Sequence, residues 1–317
     1  MAKMRDTKAK RAGILPVLVI GDVILDVYHY GAPLKISAET PTLVARNERK
    51  TISWGGAALF VRNILELGGK VKFISLLGDD EFALYDKGLA HKNLTKLFVT
   101  ERERATTTKE RFWVNGYKLL QWDHLDNRDI DKRTAEEIIS RVHEELPKCD
   151  KLLISDYRHG LITKELAAEL VKGAKKAGKP IYVDSQLSQR EGNLVWYKGA
   201  DLFCVNLREA QAVEPFFSED DLEVSFKRLS NILDSRRVVL KQEAKGSTAY
   251  LDGKVIHTPA HKVTTVDTTG AGDAFYSALA TSAFPPDEDA LLRANKWAGL
   301  STAIHGAKPP NLSDLIR

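Results

Sequence analysis

Cysteine is nearly missing from this 317-residue chain, which has only Cys149 and Cys204. They lie far apart and match no metal-ligand spacing, so they fit small buried residues in a reducing compartment and not a disulfide framework. Long apolar runs are missing too. The one near the start, residues 14–20, is short, meets Asp22 and Asp26 almost at once and lacks a small-residue cleavage site. It is expected to be a first buried strand and not a secretory leader, which places the protein in the cytoplasm. Excess charge is also scarce. The net +4 sits entirely in residues 1–11, where Lys3, Arg5, Lys8, Lys10 and Arg11 outnumber Asp6. Residues 1–12 are therefore expected to be a short solvated basic tail, and the balanced remainder offers no nucleic-acid groove and no membrane surface. Several nucleotide and nucleophile signatures are absent as well. The chain has no Gly-x-x-x-x-Gly-Lys-Ser/Thr loop, no dinucleotide fingerprint after the first strand, and neither Ser-x-x-Lys nor Gly-x-Ser-x-Gly. Acyl chemistry has no candidate nucleophile.

What is present is alternation. Residues 17–20, 71–76, 151–155, 180–184, 201–205 and 237–241 read as strands, with helical patterns over 57–67, 134–145, 164–177 and 221–233. The order predicts one α/β domain over 13–317, with a mainly parallel central sheet between layers of helices. Several strands end in polar residues: Asp22, Ser155 with Asp156, Asp184 and Asn206. Ligands of open α/β sheets bind at those carboxyl ends. Two segments break the alternation. One, residues 27–53, contains candidate strands at 42–45 and 50–53; the other, residues 106–123, has two β-rich arms around the hairpin pair Asn115-Gly116. They read as an antiparallel insertion that forms a lid and a homodimer surface, because a few strands alone cannot bury both faces. A later hairpin over 250–255 reads as an extension of the main sheet.

The chemistry concentrates at Gly270, Ala271 and Gly272, which lead into an apolar helical run and are followed by Asp273. Glycines at a helix start let unpaired amides converge on an anion where the helix dipole is positive. A carboxylate beside such a nest is what phosphoryl transfer needs: amides for the charge on the moving group and Asp273 for the proton of the attacking hydroxyl. By itself the pattern is equally compatible with a structural turn.

Context decides between them. The segment from Asp267 to Phe275 resembles the signature Asp-Thr-x-Gly-Ala-Gly-Asp-x-Phe of PfkB, ribokinase-like carbohydrate kinases. Other features of that family follow in order across nearly the whole chain: Gly21-Asp22 with Asp26, Gly55-Gly56-Ala57-Ala58, and Asn206-Leu207-Arg208-Glu209. The resemblance implies a ribokinase-like three-layer sandwich with a small β-sheet lid, using ATP and Mg²⁺. It implies that Asp26, Gly55 and Gly56 meet the sugar. It implies that Asn206, Glu209, Lys241, Gly246 and Asn295 line the nucleotide, and that Glu209 acts on Mg²⁺ through water. Asp267 is the candidate for a further cation, including a monovalent ion such as K⁺.

Within the family, the stretches 21–28, 36–41, 107–111 and 155–160 resemble kinases that phosphorylate O1 of D-glycero-β-D-manno-heptose 7-phosphate. Lys109 and Arg111, two apart on a strand, share a face and are candidates for a substrate phosphate, although such charges also protect a solvent-facing lid edge. Four positions depart from the expected pattern. Leu59 replaces an asparagine, His159 and Gln186 replace lysines, and Glu243 stands where a small residue is usual. These departures leave open a different acceptor, such as an unphosphorylated sugar or nucleoside, and also a kinase-like regulator that binds without turnover.

Overall fold

The first strand is apolar on both faces, and so it is central. The computed structural model describes residues 15–188 and 191–316, so the expected basic tail lies outside the described residues. Strand β1 (Val17–Gly21) continues through Asp22 into a long hairpin, β2 (Val23–Ile36) and β3 (Leu43–Gly56), which delivers the chain to α1 (Ala57–Glu66). Short strands follow: β4 (Val71–Ile74), β5 (Leu76–Leu77), β6 (Leu94–Lys96) and β7 (Val99–Thr100). A second hairpin pairs β8 (Thr108–Val114) with β9 (Tyr117–His124). Regular alternation then runs through α2 (Lys132–Glu145), β10 (Leu152–Asp156), α3 (Lys164–Ala177), β11 (Ile181–Ser185), β12 (Leu202–Asn206), α4 (Leu207–Val213), α5 (Leu222–Leu233) and β13 (Arg237–Lys241). Last come β14 (Ser247–Leu251), β15 (Lys254–Thr258), α6 (Ala271–Ala280), α7 (Glu288–Thr302) and α8 (Leu312–Ile316).

Nine strands form the main sheet in the order β15-β14-β13-β12-β11-β10-β1-β4-β6. Pairing is parallel from β6 through β13, and the hairpin β14-β15 adds an antiparallel edge. One apolar cluster lies on the face covered by α1, α6 and α7, and a second on the face covered by α2, α3 and α5. Cys149 and Cys204 are both buried and free. Local signals set the element ends. Thr163 caps α3 by accepting from Leu166 N at 3.2 Å, and Gly178 ends it in the left-handed region at φ 63°.

The smaller sheet has the order β3-β2-β8-β9, with β2 and β8 parallel. Its tip is the expected turn, with Asn115 at φ 50° and Gly116 at φ 81°, both as a type I′ hairpin requires. The separate strands expected at 42–45 and 50–53 are in fact one 14-residue strand, β3. Most of its residues are exposed on both faces, so no alternation marks its middle. The strand expected over 71–76 also differs, because it breaks at Ser75. That hydroxyl donates to Gly21 O at 2.7 Å and accepts from Val23 N at 3.1 Å, which wedges β4 from β5 where β1 hands over to the lid.

Candidate active site

Backbone crowding at the carboxyl ends of the central strands makes the floor of the site. A Cβ on Gly21 would lie 2.1 Å from Ser155 O, so only glycine lets β1 sit this close to β10. Asp22, just beyond, accepts from Tyr157 N at 2.8 Å and from Leu161 N at 3.4 Å. Its carboxyl is pushed up by burial and by the neighbouring Asp156. Asp156 in turn accepts from Ser185, Asn193 and Tyr197. These two acids hold the turn after β10 in place; they are structural.

Asp273 stands in the first turn of α6, which begins at Gly270 in the left-handed region (φ 83°). A Cβ on Gly270 would meet Leu59 Cδ2 at 2.7 Å, so the unexpected leucine packs directly beneath the anion nest. Ala271 N turns back to Thr268 O at 3.2 Å. The next amides, of Gly272 and Asp273, have no carbonyl of their own helix to bond. As a whole residue Asp273 is only partly buried. Its carboxyl is raised to about 7, mainly by burial; the Tyr157 hydroxyl, which donates to Oδ1, opposes the rise, Asp184 adds to it, and Lys241 opposes it.

On the lid side, Asp26 is only 8% exposed, and a Cβ on Gly55 would stand 2.1 Å from its Oδ2. Bare backbone therefore flanks a carboxylate here. Gly56 adopts φ 58°, and a side chain there would press on Asp22 O at 2.6 Å. Arg111 Nη1 bonds Asp26 Oδ1 at 2.6 Å, with its guanidinium 5.2 Å over the Tyr28 ring. Arg111 is thus the partner of Asp26. Lys109 sits opposite Asp26 in the β2–β8 register.

On the other side, Asn206 and Glu209 form a reciprocal capping box at α4: Asn206 Oδ1 accepts from Glu209 N at 2.9 Å, and Glu209 Oε2 accepts from Asn206 N at 2.7 Å. Burial raises the Glu209 carboxyl, and Lys241 opposes that. Lys241 Nζ reaches Asp184 Oδ2 at 2.6 Å and lies 3.9 Å from where a Gly272 Cβ would be. A cation therefore stands beside the nest. Gly246, at φ 99°, lets the turn after β13 press against Thr258 O, 2.2 Å from a would-be Cβ. Glu243 also takes a positive φ, 52°, in that turn. Asn295 is buried on α7. Its amide donates to Ser247 Oγ at 3.0 Å and to Thr258 Oγ1 at 2.8 Å, tying α7 to β14 and β15, so only its carbonyl oxygen is left for a ligand.

Asp267 accepts from Thr269 N at 2.9 Å and Gly306 N at 3.0 Å. Burial works against its ionised form, but those amides win and hold its carboxyl below the ordinary value. Glu209 and Asp267 belong to different elements, and among the described residues no group of three or more His, Cys, Asp or Glu side chains is arranged to hold a metal directly. Gln186, in place of a lysine, follows β11 with its backbone N–H on Asp156 O at 2.9 Å. His159 is buried and joined to Asn127 at 2.8 Å. Sequence reasoning singled out the stretch holding Tyr157, and Asp184 and Lys241 separately, but missed the Tyr157–Asp273 contact and the pairing of Asp184 with Lys241. Their only signal was position, since Tyr157 follows Ser155-Asp156 and Lys241 ends a strand.

Residues 16–314 match the family described as pfkB family carbohydrate kinase. This chain belongs to that family. It is 32% identical over 310 residues to bifunctional protein HldE of Rhodopseudomonas palustris (strain BisA53), covering 95% of this chain and 62% of that protein. It is 34% identical over 316 residues to bifunctional protein HldE of Vibrio cholerae (strain ATCC 39541), covering 92% and 64%. The chain thus spans less than two thirds of the length of these curated relatives. Among solved structures, Arabidopsis thaliana ribokinase complexed with ribose and ATP superimposes with TM-score 0.71 at 18% identity, over 96% of this chain and 98% of that one. Escherichia coli phosphofructokinase-2 in complex with potassium gives 0.74 at 18% identity, over 96% and 97%. They show that the pfkB kinase has the ribokinase-like fold. No helix among its described residues is long and apolar enough to cross a membrane.

Proposed function

We propose that this pfkB kinase transfers the γ-phosphate of ATP to a sugar hydroxyl, and that the acceptor is O1 of a heptose 7-phosphate or a related sugar phosphate. The observation that carries the reading is Asp273, a carboxyl raised to about 7 by burial in the first turn of a glycine-led helix, with Lys241 beside its start. A base with that affinity takes a hydroxyl proton near neutral pH. The sugar would lie under the lid between Asp26, Gly55, Gly56 and Asp273. The amides of Gly272 and Asp273, with Lys241 beside them, would face the charge on the transferring phosphoryl group. The acceptor O–H proton passes to Asp273 as its oxygen bonds phosphorus, and ADP departs with the bonding pair.

Mg²⁺, when bound, would supply charge neutralisation to the nucleotide's phosphates while keeping much of its water shell. Glu209 suits contact through water, because one of its oxygens is already committed to Asn206 N. Asn206 and the turn from Lys241 to Gly246 would border the nucleotide. We assign Asp267 to a monovalent cation, since it is ionised and already held by two amides. The solvent-facing lid strand β9, with Tyr117 74% and Trp122 58% exposed, is the surface we assign to a homodimer. Nothing in this reading involves nucleic acid or a membrane.

The heptose reading rests on the HldE relatives and on the motifs around the lid. A second reading, an unphosphorylated acceptor, is favoured by the pairing of the nearby cations: Arg111 with Asp26 and Lys241 with Asp184. Sugar-dependent ADP release across matched phosphorylated and free sugars decides between them. Binding of ATP and sugar without transfer to any acceptor would instead favour a kinase-like regulator.

A further inference from the structure

The Tyr157 side chain bridges the turn after β10 and the first turn of α6. Its hydroxyl donates to Asp273 Oδ1, 116 residues away in sequence. The residues around it are built to hold it there. Its backbone N–H is fixed by Asp22 Oδ2 at 2.8 Å, and the next N–H, of Arg158, by Asp156 Oδ1 at 2.8 Å. Arg158 takes φ 65°, and its guanidinium lies 4.5 Å over the Trp196 ring, so the turn is clamped on both sides of the tyrosine. A phenol has one proton to give. An ionised Asp273 can only accept it, so this bond runs from the Tyr157 hydroxyl to Asp273 Oδ1.

We propose that Tyr157 is the positioning residue of the base: it holds one oxygen of Asp273 so that the other faces the acceptor hydroxyl. The proposal rests on the reading of Asp273 as the base. Tyr157 keeps its proton throughout, and the proton of the acceptor goes to the free oxygen of Asp273. The groups facing that carboxyl are Tyr157 from the β10 turn, Asp184 from β11, Lys241 from β13 and Asp26 from β2. Of these, Tyr157 alone is a neutral donor to it.

The direct test is a carbon-13 NMR titration of the Asp273 carboxyl, assigned by its loss in Asp273→Asn and run on the apo protein. Tyr157→Phe removes a donor to the ionised form, so the midpoint should rise by roughly half to one pH unit. In ADP-release assays with D-glycero-β-D-manno-heptose 7-phosphate, Tyr157→Phe should lower kcat about ten-fold, move the acid limb up by the same shift and leave KM for ATP unchanged. An unmoved midpoint in Tyr157→Phe overturns the proposal whatever the acceptor. Should Tyr157→Phe fail to fold, 3-fluorotyrosine placed at position 157 decides: its more acidic phenol is a stronger donor, so a lowered midpoint supports the proposal and an unmoved one overturns it. A fully active Asp273→Asn would instead overturn the assignment of the base, and the titration is independent of that result.

Discussion

At the scale of single residues, Asp273 is an acid held near neutrality by competing neighbours: burial and Asp184 favour its proton, while Tyr157 and Lys241 oppose it. As the proposed base Asp273 must be ionised to work, so turnover is expected to rise with pH through about 7 and level off above. Asp273→Asn should lower kcat by ~10²–10⁴-fold. The same substitution has an opposite signature in stability. A carboxyl whose folded value is raised above its unfolded one stabilises the protein fully only below its unfolded value, and that contribution is lost as pH rises through the folded value. Asp273→Asn should therefore not lower the thermal midpoint at pH ~8 and should flatten its decline between pH ~4 and ~7, as differential scanning calorimetry at several pH values would show. Gly270, Ala271, Gly272 and Asp273 were legible in the sequence because they are contiguous. The Tyr157–Asp273 contact and the pairing of Asp184 with Lys241 were not, because these contacts exist only once β10, β11, β12 and β13 are ordered side by side.

At the scale of elements, the lid joins the body through β2 and β3, and the two glycines at the end of β3 set how closely the sugar side can form. Gly55→Ala forces a methyl to within 2.1 Å of Asp26 Oδ2, so Asp26 and its partner Arg111 must shift. The expected outcome is a rise of about ten-fold or more in KM for the acceptor with KM for ATP unchanged, read from initial-rate kinetics, since a misplaced binding group weakens uniform binding. The parts of the lid with a local signal were legible: Asn115-Gly116 marks its hairpin because a type I′ turn needs φ above zero at both positions. The length of β3 was not, because a strand solvated on both faces carries no alternation. Helix α3 was legible to the residue, since Thr163 and Gly178 mark its ends.

At the scale of the whole molecule, the parallel sheet was legible from buried apolar runs, yet its strand order was not, because the chain crosses from one edge to the other without local trace. Exposed apolar side chains cluster on one strand of the lid: Tyr117, Leu119, Leu120 and Trp122. A lid-to-lid homodimer would cover them. Analytical ultracentrifugation should find a dimer, and Trp122→Asp should shift it to monomer with the fold intact. Retention of the dimer in that variant would place the interface elsewhere. The acceptor is the point on which the account stands most exposed, and one measurement addresses it together with Asp273. ADP release is followed for the parent protein and Asp273→Asn with ATP, Mg²⁺ and either D-glycero-β-D-manno-heptose 7-phosphate or the corresponding free heptose. The account predicts release that depends on the heptose 7-phosphate in the parent and is lost at least ~100-fold in the variant. Equal turnover in parent and variant would contradict it.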